Sequence, residues 1–142
     1  MNQTILVVED DDMLREFLCE ALQLLGYEIL QADCAAAALS IWKRYQNSID
    51  LLLTDVDMPG GWNGVELAKK LQNAQPELKV IFSTGHDVQQ LIQDYSLSET
   101  SHVLQKPFRM DDLDKVISRA LDRAEEVEAY GDFELSVCAG AA

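Results

Sequence analysis

Short apolar runs alternate with amphipathic segments along the chain. The apolar runs are rich in β-branched and aliphatic residues, which is typical of strands buried on both faces. They predict strands over residues 4–8, 27–32, 49–54, 79–83 and 103–105. Between them, apolar residues recur at helical spacing and predict helices over residues 13–25, 35–45, 65–75, 87–95 and 110–130. This alternation predicts an α/β fold with a five-stranded parallel sheet and helices on both faces.

The chain has 142 residues, the length of one ordinary domain. Its 25 acidic and 11 basic residues give a formal net charge of −14, and such a field repels the phosphate backbone of nucleic acids. No apolar run approaches the roughly 20 residues that span a bilayer, and no basic leader opens the chain. We therefore expect a cytoplasmic protein with no direct nucleic-acid binding and no membrane insertion. The expected organisation is one domain over 1–124 and an acidic helix extension or tail over 125–142.

Residues able to do chemistry follow four of the predicted strands. Glu9 and Asp10 follow the first strand, Asp55 and Asp57 the third, Thr84 the fourth and Lys106 the fifth. Ligands of open parallel sheets bind beyond the carboxyl ends of the strands, so these side chains are expected to converge. Clustered carboxylates repel one another unless a cation neutralises them. A few oxygen ligands with retained water suit Mg²⁺, which usually binds beside a phosphate.

The other polar residues suit phosphoryl chemistry. A phosphoryl group needs a positive charge and a hydrogen-bond donor, which Lys106 and Thr84 can supply. An aspartate such as Asp55 can act as a nucleophile by forming an acyl phosphate. Singly, these residues have structural explanations: acids after the first strand also favour a helix N-terminus, and Thr84 suits a turn. Their joint occurrence at strand ends favours a phosphoryl-transfer site. The histidines, His86 and His102, are predicted to be surface residues rather than metal ligands.

Four motifs, in this order along the chain, carry a resemblance to a known family. They are ILVVEDD at 5–11, DLLLTDVDMPGGWNGVEL at 50–67, VIFSTG at 80–85 and LQKPF at 104–108. With them, residues 4–123 resemble the response-regulator receiver family of two-component signalling. The resemblance implies a flavodoxin-like strand order 2-1-3-4-5. It also implies a phosphoacceptor, rather than an enzyme, that takes a phosphoryl group from a phosphohistidine and switches a protein-binding surface.

The resemblance also implies a role for each residue at the strand ends. Asp55 resembles the phosphoacceptor, Thr84 the hydroxyl residue that contacts the phosphoryl group, and Lys106 the residue that pairs with a phosphoryl oxygen. The implied Mg²⁺ ligands are Glu9, Asp10, Asp55 and the backbone carbonyl of Asp57. The implied donor is a sensor histidine kinase or a histidine phosphotransfer protein, and the implied target is a downstream protein. The bond between Lys106 and Pro107 is implied to be a cis peptide.

Three features depart from the family pattern. Val103 stands where the family usually has its switch aromatic, three residues before Lys106. Gly85 replaces the commoner alanine after Thr84, which predicts a more open acceptor. The loop PGGWNG is one residue longer than the usual form and is similar to that of receivers attached to hybrid sensor kinases.

Two other functions are compatible with parts of the pattern. Asp55 and Asp57 also resemble the DxD motif of haloacid-dehalogenase-like phosphatases, in which the first aspartate is a nucleophile and the second an acid or base. Those enzymes carry the motif after their first strand, whereas here it follows the third predicted strand. The other alternative is a phosphorylation-independent binding module, and the complete set of polar residues at the strand ends argues against it.

Overall fold

The computed structural model describes residues 2–58, 60–98 and 100–121. In these ranges five strands alternate with five helices. The strands are β1 (Thr4–Val8), β2 (Glu28–Ala32), β3 (Leu51–Asp55), β4 (Lys79–Thr84) and β5 (His102–Gln105). The helices are α1 (Asp12–Leu24), α2 (Ala35–Arg44), α3 (Gly64–Ala74), α4 (Val88–Tyr95) and α5 (Met110–Ala120). The strands pair in parallel in the order β2-β1-β3-β4-β5, which confirms the predicted fold class and strand order.

The element boundaries differ from the predicted ones mainly at β3 and α5. β3 extends through Asp55 because this residue pairs with Ser83 of β4, and it begins at Leu51 rather than at residue 49. α5 ends at Ala120, with Leu121 as its C-cap. The rest of the helix predicted to residue 130, and the extension predicted over 125–142, lie outside the described residues. None of the helices in the described ranges is long and apolar enough to cross a membrane.

Helices cover both faces of the sheet. On one face, α2, α3 and α4 pack on strand residues such as Leu6 and Leu52. On the other face, α1 and α5 pack on Ile5, Val7 and Leu53. Successive side chains of a strand point to opposite faces, so each strand contributes to both cores. Burial on both faces is the reason the strands are near-continuous apolar runs, and hence the reason the sequence pattern located them.

Side-chain caps fix the turns at the carboxyl edge of the sheet. Asp11 accepts hydrogen bonds from the backbone N–H groups of Met13 and Leu14 at the start of α1. Asn63 and Glu66 form a reciprocal capping box at the start of α3. Such caps satisfy backbone donors that have no partner within the helix. They hold in place the segments that follow β1 and β3, where the candidate site lies.

Candidate functional site

Three carboxylates converge where β1 and β3 end. The two strands are neighbours, with Val8 opposite Thr54, so the next residues, Glu9 and Asp55, lie side by side. One carboxylate oxygen from each of Glu9, Asp10 and Asp55 lies within 4.8 Å of the others. Glu9 and Asp55 are buried, whereas Asp10 is exposed. The structure therefore brings together three of the predicted metal ligands in a geometry that could hold a cation.

The Lys106 ammonium lies against this acidic cluster. Its Nζ is 3.1 Å from Glu9 Oε1 and 3.5 Å from Asp55 Oδ1. The backbone N–H of Lys106 donates to the carbonyl oxygen of Thr84 at 2.7 Å, which ties the end of β5 to the end of β4. The peptide bond to Pro107 is cis, as predicted. Lys106, which follows β5, thus contacts a residue that follows β1, although β4 and β3 lie between these two strands in the sheet.

The cluster changes the acidity of its members. Burial, followed by the charge of Glu9, raises the pKa of Asp55 from 3.8 to about 7, although Lys106 opposes this rise. A hydrogen bond with Asp10 also raises that pKa, and the backbone N–H of Asp57 lowers it. Burial on its own lowers the pKa of Lys106, but Asp55 and Glu9 outweigh it and the net pKa is raised. Near neutral pH Asp55 is therefore partly protonated, and a bound cation would displace its proton.

His86 joins the loops that follow β3 and β4. Its backbone N–H donates to Thr84 Oγ1 at 3.0 Å, and its ring Nε2 is 2.8 Å from Asp57 Oδ2. The side chains of His86 and Asp57 are each 56% exposed, so the predicted surface position of His86 is confirmed. The backbone N–H of Asp57 donates to Asp55 Oδ1 at 3.3 Å. The His86–Asp57 contact was not predicted, because the spacing of the two residues does not show that their loops meet.

Gly64, the first residue of α3, lies directly against the backbone of Asp55. A Cβ at this position would collide with the carbonyl oxygen of Asp55 and lie 3.0 Å from Thr54 Oγ1. The backbone N–H of Gly64 donates to the carbonyl of Val56 at 2.9 Å. The close approach of α3 to the end of β3 thus requires glycine here. No pattern in the sequence predicted a role for Gly64, and the nearest signal is the glycine-rich loop before α3.

Val103, at the position where the family usually has its switch aromatic, is half-buried in the structure. It packs against the core between the sheet and helices α2, α3 and α4. Gly85 is exposed, and an added Cβ there would meet nothing within 4 Å. Both departures from the family pattern therefore fit this fold without strain.

Comparison with known proteins agrees with the fold and the motifs. The family model of the response regulator receiver domain matches residues 5–118. The response regulator receiver protein CpdR of Brucella abortus is 38% identical over 118 residues, which are 82% of this chain and 95% of that protein. Sporulation initiation phosphotransferase F of Bacillus subtilis is 30% identical over 122 residues, or 85% of this chain and 95% of that protein. Other curated relatives are longer proteins, of which the chain spans 13% to 31%.

Solved structures show the same relationship. The receiver domain of the hybrid histidine kinase CckA superposes with a TM-score of 0.69 at 31% identity, covering 83% of this chain and 98% of that one. Sequence relatives and structural neighbours thus support the same fold, and the family match spans all four motifs. Receiver domains are phosphoacceptors that exchange phosphoryl groups with histidine kinases or phosphotransfer proteins. The chain belongs to the response regulator receiver domain family, and its function is that of a phosphorelay receiver.

Proposed function

We propose that Asp55 is the phosphoacceptor of this receiver, and that residues 1–124 form the receiver unit. The observation that carries the assignment is the burial of Asp55 beside the Glu9 carboxylate, with the Lys106 ammonium in contact with both. A carboxylate in this position has a nucleophilic oxygen at the mouth of the sheet and a cation beside it. The protein acts as an acceptor and not as an enzyme with turnover.

The acidic cluster suits Mg²⁺. Glu9, Asp10 and Asp55 would hold the ion with the backbone carbonyl of Asp57, since carboxylate and carbonyl oxygens are the ligands Mg²⁺ prefers. Glu9 Oε1 is buried and has no polar contact in the described part of the chain beyond the Lys106 ammonium. A second cation would therefore find an acceptor there. When bound, Mg²⁺ neutralises charge on the transferring phosphoryl group.

Side chains of the protein orient the acceptor carboxylate and the phosphoryl group for the transfer. An Asp55 oxygen forms a bond to phosphorus while the phosphorus–nitrogen bond of the donor phosphohistidine breaks, and the electron pair of that bond remains on the imidazole. Lys106 then turns from the carboxylates toward a phosphoryl oxygen, which offers a fuller negative charge. Thr84 donates its hydroxyl to another phosphoryl oxygen. In the described part of the chain, Thr84 Oγ1 accepts a hydrogen bond from the backbone N–H of His86 and donates none, so its proton is available.

The partners follow from the reaction. The donor is a phosphohistidine on a sensor histidine kinase or a histidine phosphotransfer protein in the cytoplasm. Phosphorylation adds roughly −1.5 to −2 charges at a buried site, and this addition changes the balance of contacts that Lys106 and Thr84 make. The surface formed by α4, β5 and α5, which includes the half-buried Val103, then engages a downstream protein.

Intact mass after incubation with Mg²⁺ and acetyl phosphate tests the assignment. We expect the wild-type protein to gain one phosphoryl group, and the gain to be absent with EDTA and in Asp55→Asn. Asp57→Asn is the matched control, because it neutralises the neighbouring carboxylate and leaves the backbone carbonyl in place. This control is expected to be phosphorylated.

The same experiment separates the alternatives. Phosphorylation that survives in Asp55→Asn would show that another residue is the acceptor. Steady release of phosphate that disappears in Asp57→Asn would instead support the phosphatase mechanism, in which the second aspartate is an acid or base. A protein that binds Mg²⁺ and gains no phosphoryl group from any donor would be a binding module.

A further inference from the structure

Ser83 carries a buried hydroxyl that the proposed function does not use. The residue is 1% exposed, and its Oγ has no hydrogen-bond partner in the described ranges. Leaving a buried hydroxyl unpaired costs free energy that an alanine would avoid. A polar group of this kind in a native core therefore calls for an explanation, and a role in another state of the site is one.

The sheet register places Ser83 beside Asp55. The two residues are paired across β3 and β4. Two residues earlier, Leu53 and Ile81 are also paired, and both pack in the core under α1 and α5. Because side chains alternate along a strand, Asp55 and Ser83 point to that same face. Neighbouring strands lie about 5 Å apart, a span that a serine hydroxyl and a carboxylate can bridge.

Lys106 contacts the Asp55 carboxylate in the resting state. Its ammonium is the cation next to Asp55 Oδ1, at 3.5 Å. When the ammonium turns toward a phosphoryl oxygen, Asp55 Oδ1 loses that contact. Ser83 is the neighbouring donor on the same face.

We infer that Ser83 is a positioning residue: its hydroxyl donates to Asp55 Oδ1 during phosphoryl transfer, in place of Lys106. This inference rests on the proposed function, because it requires Asp55 to be the acceptor and Lys106 to move. The hydrogen bond replaces the contact that Asp55 Oδ1 loses when Lys106 turns, so this oxygen keeps a donor in the transition state of transfer in either direction. The unpaired hydroxyl of the resting state is then the cost of a donor held next to the reacting group.

Ser83→Ala and Ser83→Thr test the inference beside the wild-type protein and Asp55→Asn. The first variant deletes the hydroxyl, and the second keeps it. The readouts are the urea midpoint in EDTA, the Mg²⁺ affinity, and the rate of phosphorylation as a function of acetyl phosphate concentration. For Ser83→Ala we expect an unchanged or higher urea midpoint and an unchanged Mg²⁺ affinity. Its maximal phosphorylation rate should fall about tenfold, with an unchanged half-saturating donor concentration.

The outcomes separate the inference from the function on which it rests. A wild-type protein that is not phosphorylated, or an Asp55→Asn variant that is, would overturn both. A wild-type protein phosphorylated on Asp55 at the same rate as Ser83→Ala would overturn the inference alone. A lower urea midpoint with an unchanged rate would show that the hydroxyl is structural. Recovery of the rate in Ser83→Thr supports donation by the hydroxyl, and equal slowing in both variants would contradict it.

Discussion

Replacing Asp55 by asparagine is expected to stabilise the metal-free protein by an amount that grows as the pH rises from about 4 to about 7. Burial and the charge of Glu9 raise the pKa of Asp55 from 3.8 to about 7 in the folded state. Between these two values the folded protein holds a proton that the unfolded chain has released. The unfolding free energy of the wild type therefore falls as the pH rises from about 4 to about 7, and it changes little above that. Asparagine has a similar shape and nothing to ionise, so its contribution does not change with pH.

The magnitude follows from the two pKa values. Each pKa unit corresponds to about 1.4 kcal/mol, and most of the interval from 3.8 to about 7 lies above pH 5. Relative to Asp55→Asn, the wild-type protein should lose about 2.5 kcal/mol of unfolding free energy between about pH 5 and about pH 8. This amount is a large fraction of the stability of an ordinary domain.

Urea unfolding in EDTA at several pH values measures this difference by linear extrapolation. Asp114→Asn is the matched control, because Asp114 is exposed on α5 and its replacement also removes one negative charge from the net charge of −14. The control should track the wild type at every pH. A constant difference between Asp55→Asn and the wild type, or a wild type that gains stability at alkaline pH, would refute the reasoning. Saturating Mg²⁺ should stabilise the wild type and leave Asp55→Asn nearly unchanged.

Three other perturbations test different parts of the site. Mg²⁺ affinity measured by calorimetry should fall about tenfold from about pH 8 to about pH 6, because Asp55 must lose its proton to bind the ion; an affinity that does not depend on pH would contradict this. In the urea assay, Gly64→Ala should lower the unfolding free energy by roughly 3 kcal/mol, since its Cβ would meet the carbonyl of Asp55, and it should also reduce phosphorylation. Gly85→Ala is the control and should leave the urea midpoint unchanged, because its Cβ would have nothing within 4 Å. Lys106→Met should destabilise the metal-free protein at pH 8 by roughly 3 kcal/mol, because two buried carboxylates lose their counterion; an equal or higher urea midpoint would show that the ion pairs add nothing.

The fold could be predicted from the sequence because its strands are buried on both faces. Runs such as 4–8 and 51–55 are apolar throughout, and helical spacing between them is regular. The site could be predicted in outline because parallel strands end at one edge, which places Asp55 and Lys106 together whatever the details of the loops. Predicting the strand order required the resemblance carried by the four motifs, since hydrophobic periodicity alone does not show which strands are neighbours in a sheet.

The remaining contacts depend on register and loop geometry that no local pattern encodes. Ser83 faces Asp55 only because β3 and β4 pair at that residue. His86 meets Asp57 through the conformation of two separate loops. Gly64 is required because α3 starts against the carbonyl of Asp55, a distance set by the packing of a whole helix. Each of these is a tertiary relationship between segments that are far apart in the sequence.

The contacts of Lys106 with both Glu9 and Asp55 couple Mg²⁺ binding and phosphoryl transfer thermodynamically. In the resting state its ammonium neutralises Glu9, whose side chain is only 2% exposed. A phosphoryl group that draws the ammonium away leaves this buried charge without its partner, and Mg²⁺ is the ion that can replace it. Phosphoryl transfer should therefore tighten Mg²⁺ binding, and by reciprocity Mg²⁺ should favour the acyl phosphate by the same factor. One lysine side chain thus makes the cation and the phosphoryl group cooperative ligands of a single site.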